Sequence, residues 1–258
     1  MPITIADLHG RLDLLDAALA FYGDDAEFVF LGDATDRGEN SRGVIERLAG
    51  VADAGRMVLL RGNHEQMLLK AMHLREQAEA GGSPRARREA QATFDNWLRN
   101  GGDKVVSEYG GFDLAGIPAE LSAYVKRTVL EYRYGAVLCT HAAPPVMMAR
   151  YNDDVEMAML WARPDEGPFD LPPGIERSIH GHTPLSAPTW VKNHLYTDLG
   201  AVHTGALCTV DLDSFEIRVL QGPSSVPLDA LPFLASSSEG MVHAAPFETI
   251  PVSGLKAS

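Results

Sequence analysis

The sequence is poor in cysteine, lacks a long hydrophobic run and carries fewer basic than acidic residues. Cys139 and Cys208 are the only cysteines in 258 residues, and each lies in an apolar, strand-like run. Two such thiols are typical of a reducing cytoplasm, so we expect both to be buried and unpaired. No apolar stretch approaches the roughly 20 residues that span a bilayer, and the N-terminal segment lacks the basic start and apolar stretch of a secretory signal. The chain is therefore predicted to be cytoplasmic, without a membrane partner.

The formal charge is −13, from 22 Lys and Arg against 35 Asp and Glu. An acidic surface of this kind repels nucleic acids and anionic membranes, although a small positive pocket could still hold one phosphate. Arg85, Arg87 and Arg88 form a local basic cluster in a helical stretch. In so acidic a chain we interpret this cluster as a solvated helix face, with a contact for a polyphosphate as the alternative.

Short apolar runs that stop at a polar loop recur along the chain. They are Ile3–Ala6, Phe28–Leu31, Met57–Leu60, Ala136–Thr140 and Ile175–Ile179. Apolar residues at helical spacing separate the first three runs, which predicts helices at Arg11–Tyr22 and Ser41–Ala54. This alternation favours an α/β fold with parallel strands and right-handed crossovers. In such folds, ligands bind at the carboxyl ends of the strands.

The middle of the chain has a different pattern. Helical periodicity over Gln66–Asn100, broken at Gly81–Pro84, predicts a helical insert at about 66–110. The proline-rich segment Ala142–Gly174 is predicted to be irregular, and short strands are predicted within Trp190–Leu220.

Oxygen and imidazole side chains collect where the apolar runs end. They are Asp7, His9, Asp33, Asp36, Asn63, His64, His141 and His182. Each alone has a structural explanation, such as a helix cap, a turn or a buried histidine, but the joint pattern favours a metal site. Carboxylate, amide and imidazole ligands without thiolate suit Mn, Fe or Zn. Two such ions need a carboxylate that touches both, and Asp33 is the predicted bridge.

Several motifs resemble a known family in their order and spacing. They are the runs ADLHG, GDATDRG, RGNHE, THAA, LWAR, HGHTP and DLGAV. Together they resemble the phosphoprotein phosphatase family of calcineurin-like metallophosphoesterases, from about Ile3 to Val202. The bacterial branch, with small serine/threonine and tyrosine phosphatases and symmetric diadenosine tetraphosphatases, is most similar. The resemblance implies the metallo-dependent phosphatase fold, an α/β four-layer sandwich of two mixed β-sheets flanked by helices.

The resemblance also implies roles for individual residues. Asp7 and His9 would hold a first metal, Asp33 would bridge, and Asn63, His141 and His182 would hold a second; Mn²⁺ is expected, with Fe or Zn as alternatives. His64 would be the general acid, oriented and kept cationic by Asp36. Arg37 and Arg163 would contact the phosphate, with Arg61 as a further candidate.

Some positions depart from the family pattern. Ala6 stands where glycine is usual, and THAA replaces a more usual HAG. His180 is extra to the pattern, and we expect it to lie beside the ligands without being one. Asp198 matches a family aspartate and is expected to support the site. From Gly222 onward Pro, Ser and Ala accumulate, so we predict a catalytic domain over 1–222 and an irregular extension over 223–258.

Three functions remain open at this point. The first is a phosphatase for phosphoserine and phosphothreonine, or phosphotyrosine, in proteins, in which metal-bound hydroxide attacks phosphorus directly. The second keeps the site but hydrolyses a symmetric dinucleoside tetraphosphate or another small pyrophosphate. The third is a catalytically silent binding protein. A silent protein would have lost ligands, whereas every expected ligand is present in this sequence.

Overall fold

Eleven short strands form in residues 1–222 and 249–251, the parts of the chain that the computed structural model describes. In chain order they are β1 (Pro2–Ile5), β2 (Glu27–Phe30), β3 (Met57–Leu59), β4 (Glu131–Tyr134), β5 (Val137–Thr140), β6 (Arg177–His180), β7 (Thr189–Val191), β8 (His194–Tyr196), β9 (Ala206–Asp211), β10 (Ile217–Gln221) and β11 (Thr249–Pro251). Their buried side chains are mostly aliphatic and aromatic, which suits a sheet covered on its faces.

The strands pair into two mixed sheets. The first has the order β11-β10-β9-β1-β2-β3, and the second has the order β4-β5-β6-β8-β7. Strands β1, β2 and β3 are parallel, whereas β9 runs antiparallel to β1. In the second sheet β6 is parallel to both β5 and β8. The predicted succession of parallel βα units is therefore confirmed for the first three strands.

Eight α-helices accompany these strands in the described residues. They are α1 (Leu12–Tyr22), α2 (Ser41–Asp53), α3 (Asn63–Gly81), α4 (Pro84–Trp97), α5 (Asp103–Glu108), α6 (Ala119–Arg127), α7 (Val155–Trp161) and α8 (Ala201–Thr204). A π-helical turn, Leu98–Gly102, joins α4 to α5. The predicted α/β sandwich of two mixed sheets flanked by helices is confirmed.

The break between α3 and α4 has a local cause. Gly82 ends α3 in a left-handed conformation, with φ 65°, which glycine adopts without steric cost. The side chain of Ser83 then accepts a hydrogen bond from the backbone N–H of Ala86, and Pro84 occupies the first turn of α4. This is the interruption that the sequence predicted at Gly81–Pro84.

One local prediction is wrong in part. Residues Val155–Trp161 form α7 within the segment that was predicted to be irregular. The helix begins where the side chain of Asp154 accepts a hydrogen bond from Met157 N at 3.2 Å. Because α7 has only seven residues between proline-rich stretches, its periodicity is too short to recognise against those breakers.

A continuous apolar core includes residues of both sheets, among them Phe30 of β2, Leu195 of β8 and Leu207 of β9. Cys139 and Cys208 are buried and unpaired, as predicted. Burial raises the pKa of the Cys139 thiol to about 12, so this thiol stays protonated and unreactive. Cys139 lies in the apolar core and in neither of the described groups of converging ligand atoms, in line with a packing role.

The end of the chain is described only in part. Strand β11 pairs antiparallel with β10 and lies within the segment 223–258 that was predicted to be irregular. The remaining residues of that segment lie outside those described, so the division into domain and extension stays a prediction. In the described residues, no helix is long and apolar enough to cross a bilayer.

Candidate metal centre and active site

Loops from both sheets bring the predicted side chains together. Asp7 and His9 follow β1, Asp33 and Asp36 follow β2, and Asn63 and His64 begin α3 directly after β3. His141 follows β5 and His182 follows β6, so the second sheet supplies the last two groups. All are buried except His182, which is half-buried. The carboxyl ends of parallel strands meet at one edge, which explains the convergence.

The backbone at this edge is unusual. His9, Asp33, Asp36, Arg37 and His182 all have positive φ, between 45° and 74°. Non-glycine residues in this region cost roughly 1 to 3 kcal/mol each unless the surroundings hold them. Such strain collects at functional sites, because it aims side chains that a relaxed loop would turn away.

Glu65 holds two of these loops together. Its carboxylate accepts hydrogen bonds from the backbone N–H groups of Asp33, Ala34 and Gly62, each at 2.9 Å. Burial and the nearby Asp33 carboxylate raise the pKa of Glu65 to about 7. Sequence analysis did not single out this residue, although its place in the RGNHE run could have indicated it. Glu65 fixes the position of the backbone that carries Asp33.

Asp33 belongs to two groups of converging ligand atoms. In the first group, its Oδ2 lies 3.5 Å from Nε2 of His9 and 3.9 Å from Nε2 of His64. In the second group, the same oxygen lies 3.6 Å from Nε2 of His141, and His182 is the third member. A carboxylate shared by two clusters is what a two-ion centre requires.

Asn63 joins the second cluster through its side-chain oxygen. Its Oδ1 lies 2.9 Å from Nε2 of His141 and 2.9 Å from Nδ1 of His182. The backbone N–H of the next residue, His64, donates to Oδ1 of Asp33 at 3.1 Å. His141 and His182 therefore both direct a ring nitrogen at the side-chain oxygen of Asn63.

His141 shows why a cation fits this cluster. Its Nδ1 donates to the carbonyl oxygen of Leu31 at 2.9 Å, and burial lowers the pKa of the imidazole, which favours the neutral ring with its lone pair on Nε2. That Nε2 faces Oδ1 of Asn63, which has no proton either. Two facing lone pairs repel unless a cation lies between them. The donor set thus fits a metal ion.

His9 is held in the same tautomer. Its Nδ1 donates to the carbonyl oxygen of Thr35 at 2.7 Å, and burial lowers the pKa of the ring well below its usual value. The lone pair of Nε2 therefore points into the first cluster. Hydrogen bonding of the other ring nitrogen to a backbone carbonyl is how metal-binding histidines are commonly oriented.

Asp7 lies beside the clusters but outside both groups of mutually close atoms. Its two oxygens accept the backbone N–H of His182 at 3.1 Å each. Burial, together with Asp198 and Asp33, raises the pKa of Asp7 well above its usual value. Three neighbouring buried carboxylates are favourable only with compensating positive charge, which bound cations supply. Asp198 therefore lies next to the predicted ligands, where the sequence placed a supporting residue.

The pKa of Asp33 is shifted in the opposite direction from that of Asp7. Burial would raise its pKa, but the surrounding imidazoles outweigh that effect and hold the pKa below the usual value; among them, His64 is the ring whose own pKa is raised and which can carry the positive charge. The bridging carboxylate is therefore ionised at neutral pH and is available as a ligand.

His64 and Asp36 form the predicted acid pair. Nδ1 of His64 donates to Oδ2 of Asp36 at 2.6 Å. Burial lowers the pKa of His64, but Asp33 and Asp36 outweigh it, and the net shift is upward. The other oxygen of Asp36 accepts hydrogen bonds from Nε1 of Trp97 and from the hydroxyl of Thr35, both at 3.1 Å. The apolar spacing around Trp97 in the sequence carries no sign of this contact.

The three predicted arginines have different surroundings. Arg37 donates to Nε2 of His9 at 2.9 Å, and its Nη2 lies 2.7 Å from Nε2 of His64, so it lies across the first cluster. Arg163 is exposed, and it contributes with burial and His141 to lowering the pKa of His182 to about 3. It therefore lies close to the second cluster.

The contacts of Arg61 lie outside the two clusters. Its guanidinium donates to the hydroxyl and carbonyl oxygens of Thr128 and to the side chains of Gln66 and Glu156, at 3.1 to 3.4 Å. These contacts tie β3 to α7 and to the segment before β4. A phosphate contact by Arg61 would compete with them and stays a prediction.

His180 has no contact with the clusters through its ring nitrogens. Nδ1 lies 2.9 Å from the hydroxyl of Thr140, and Nε2 lies 2.7 Å from the hydroxyl of Ser178. Its ring is fully buried. Because both nitrogens are engaged by hydroxyl groups, the side chain is not placed to bind a metal, in line with the prediction.

Comparisons with known proteins agree with this geometry. The model of the calcineurin-like phosphoesterase family matches residues 3–186. The chain is 30% identical to serine/threonine-protein phosphatase 1 of Salmonella typhimurium over 217 residues, which is 79% of this chain and 88% of the relative. It is 25% identical to the asymmetrical bis(5'-nucleosyl)-tetraphosphatase PrpE of Bacillus subtilis over 256 residues, 87% of this chain and 95% of the relative.

Solved structures share the fold at lower identity. A cold-active protein-tyrosine phosphatase of a psychrophilic Shewanella species has a TM-score of 0.55 at 17% identity, over 84% of this chain and 76% of that chain. A protein serine/threonine phosphatase of Saccharomyces cerevisiae has a TM-score of 0.56 at 14% identity, over 87% and 81%. These likenesses establish the architecture.

Proposed function

This chain belongs to the calcineurin-like phosphoesterase family, and we propose that it removes phosphate from phosphoserine and phosphothreonine in proteins, with phosphotyrosine as a further substrate. As a member of this family it is a metal-dependent hydrolase of phosphoric esters. The observation that carries the proposal is the membership of Asp33 in both ligand clusters. A centre of this kind suits in-line displacement at phosphorus.

We assign two divalent ions to the clusters. Asp7 and His9 would hold one, Asn63, His141 and His182 the other, and Asp33 would touch both. The oxygen and nitrogen donors favour Mn²⁺, with Fe or Zn as alternatives. When bound, such ions polarise the phosphate oxygens and lower the pKa of a bound water.

The arginines bind and orient the substrate. Arg37 contacts His9 of the first cluster, and Arg163 acts on the pKa of His182 in the second; the forked donors of both match the geometry of phosphate oxygens. Binding of phosphate by Arg37 would withdraw its donors from Nε2 of His9 and Nε2 of His64. Substrate binding would thereby free Nε2 of His64 to face the leaving oxygen.

His64 then donates the proton that the leaving oxygen needs. Its pKa lies above the usual value because Asp33 and Asp36 outweigh the effect of burial, so the imidazolium is available near neutral pH. Asp36 holds Nδ1, which leaves Nε2 as the proton donor.

Water is the proposed nucleophile. The residues that we assign to the metals and to the phosphate include no serine or cysteine nucleophile, which agrees with direct attack by water. A single turnover in ¹⁸O-labelled water should place one labelled oxygen in the phosphate. Isolation of a phosphorylated side chain would contradict direct attack.

Hydrolysis of dinucleoside tetraphosphates is the second candidate. One observation favours it: the alignment to the tetraphosphatase spans 95% of that relative, and that relative is named asymmetrical, whereas the sequence motifs suggested a symmetric enzyme. Arg85, Arg87 and Arg88 are exposed on α4, where they could contact a long anionic substrate.

A substrate panel separates these candidates. With Mn²⁺ supplied, we would compare kcat/KM on a phosphoserine peptide, a phosphotyrosine peptide, 4-nitrophenyl phosphate and diadenosine tetraphosphate. The proposal predicts the highest value for a phosphopeptide. A preference for the tetraphosphate would favour the second candidate, and full activity in both Asp33→Asn and His64→Asn would remove the active-site assignment.

A further inference from the structure

The helical insert makes three contacts with the loop that follows β2 and with the start of α2. Nε1 of Trp97 donates to Oδ1 of Asp36 at 3.1 Å. The backbone N–H of Arg37 donates to the carbonyl oxygen of Gly101 at 3.1 Å. The carboxylate of Glu108 accepts the backbone N–H groups of Ser41 and Arg42 at 2.9 and 2.8 Å. The insert therefore reaches both the acid pair and one phosphate-binding arginine.

The contact from Trp97 fixes the rotation of the Asp36 carboxylate. Oδ1 accepts the indole N–H and the Thr35 hydroxyl, while Oδ2 accepts Nδ1 of His64. With both oxygens engaged, the carboxylate plane has one favourable orientation. That orientation sets the direction of the His64 ring, and hence the position of its Nε2.

The indole cannot use its N–H in another way. Trp97 is fully buried, and its ring packs against Phe94 and Phe112, with centroid separations of 5.3 and 6.3 Å. The indole nitrogen is only a donor, and a buried donor without an acceptor is costly. The Asp36 carboxylate is the acceptor that satisfies it.

Two glycines make this close approach possible. A Cβ on Gly102 would lie 2.4 Å from the Trp97 ring, and a Cβ on Gly101 would lie 2.7 Å from the backbone nitrogen of Arg37. Gly101 also has φ 112°, which disfavours other residues. Both lie in the turn between α4 and α5, where the chain is kinked and Gly101 leaves the helical conformation. The turn brings the indole of Trp97 and the backbone carbonyl of Gly101 into contact with the loop that follows β2.

The loop needs such support. Asp36 and Arg37 have φ values of 74° and 66°, and consecutive non-glycine residues of this kind persist only when neighbouring groups hold them. The insert supplies a side-chain contact to one and a backbone contact to the other.

We propose that Trp97 is a positioning residue for the reaction: through Asp36, its indole N–H sets the orientation of the His64 general acid. This inference rests on the proposed function and assigns the helical insert a part in proton donation. A contact that acts on proton donation matters most when the leaving group is a poor one, because a good leaving group departs without a proton.

The test removes the indole N–H of Trp97 in two variants. One keeps a bicyclic ring of the same shape, and the other has a smaller aromatic ring. Trp97 is replaced by β-(3-benzothienyl)alanine, which puts sulfur in place of the indole N–H, and separately by phenylalanine (Trp97→Phe). Each variant is assayed with Mn²⁺ on phenyl phosphate, a poor leaving group, and on 2,4-dinitrophenyl phosphate, a good one. We expect kcat on phenyl phosphate to fall roughly 10-fold and kcat on the dinitrophenyl ester to fall less than about 2-fold, with KM unchanged.

Two matched variants serve as controls. Trp190→Phe makes the same change on β7, where the ring lies 6.3 Å from that of Phe215 and away from the site. Phe94→Leu loosens the packing around Trp97 and keeps its N–H. In both controls the ratio of the two kcat values should equal that of the wild type.

The outcomes are distinguishable. A selective loss on phenyl phosphate, with unchanged Mn²⁺ affinity by calorimetry, supports the positioning role. Equal losses on both esters, or a weakened Mn²⁺ affinity in the benzothienyl variant, would show that Trp97 is merely structural and would overturn the inference. A wild-type enzyme without activity on either ester would overturn the proposed function, and this inference with it.

Discussion

Nδ1 of His64 lies 2.6 Å from Oδ2 of Asp36, and neither side chain is reached by solvent. A carboxylate that accepts from one ring nitrogen selects the tautomer and the direction of the other. The pair is therefore oriented before any substrate binds, and the chemistry assigned to His64 depends on Asp36.

Asp36→Asn should retain the fold and lose most of the activity. The amide has no negative charge to favour the imidazolium, and its NH₂ group cannot accept the proton of Nδ1, so His64 would be a weaker and less well oriented proton donor. We expect kcat to fall by roughly 10²- to 10⁴-fold, with little change in KM. Steady-state kinetics on 4-nitrophenyl phosphate would measure this, and Asp24→Asn, at a fully exposed carboxylate, is the control. A kcat within twofold of the wild type would contradict the assigned pair.

Asp33→Asn should abolish stabilisation by metal. In the wild type, Mn²⁺ at about 100 times its Kd should add about 2.7 kcal/mol to the free energy of unfolding, seen as a higher melting temperature. The variant lacks the carboxylate common to both clusters, so we expect little or no increase. Thermal denaturation with and without EDTA tests this, with Asp25→Asn as an exposed control. An increase in the variant equal to that of the wild type would exclude Asp33 as the bridge.

Gly181→Ala should disturb the centre without replacing any of the predicted ligands. A Cβ at this position would lie 2.0 Å from Oδ1 of Asp7, so the carboxylate must move. We expect Mn²⁺ affinity to fall by at least about 10-fold, by analogy with changes around metal ligands. Gly50→Ala is the matched control, because no atom lies within 4 Å of its added Cβ; it should stabilise α2 by about 0.5 to 1 kcal/mol. Unchanged Mn²⁺ binding in Gly181→Ala would argue against Asp7 as a ligand.

Arg163→Gln and Arg61→Gln should affect different properties. Arg163 is exposed beside the second cluster, so loss of its charge-assisted contact with phosphate should raise KM by about 10-fold. Arg61 is held by Thr128, Gln66 and Glu156, so its replacement should lower the melting temperature and change KM less. Kinetics and thermal denaturation of both variants check this. If Arg61→Gln raised KM more than Arg163→Gln did, Arg61 and not Arg163 would be the phosphate contact.

Much of the site could be predicted because its chemistry depends on residue types that are recognisable in the sequence. Asp33, Asn63 and His141 are polar groups that directly follow apolar runs, and a pattern of this kind is visible without coordinates. Trp97 and Glu65 were not found in the same way. A tryptophan on an apolar helix face is typical of a core residue, and a glutamate at a helix start is typical of a helix cap. Neither pattern predicts the long-range hydrogen bonds that these two residues make.

The sequence alone determined the strand–loop alternation, the buried unpaired cysteines and the inventory of metal-binding groups, because these follow from local hydrophobic spacing and side-chain chemistry. Tertiary structure decided which oxygen of Asp33 faces which histidine, that the donors of Arg61 are already engaged, and that the insert contacts Asp36. Those relationships depend on the approach of residues far apart along the chain and on backbone conformations with positive φ. Both are set by packing of the whole domain, and no local pattern encodes them.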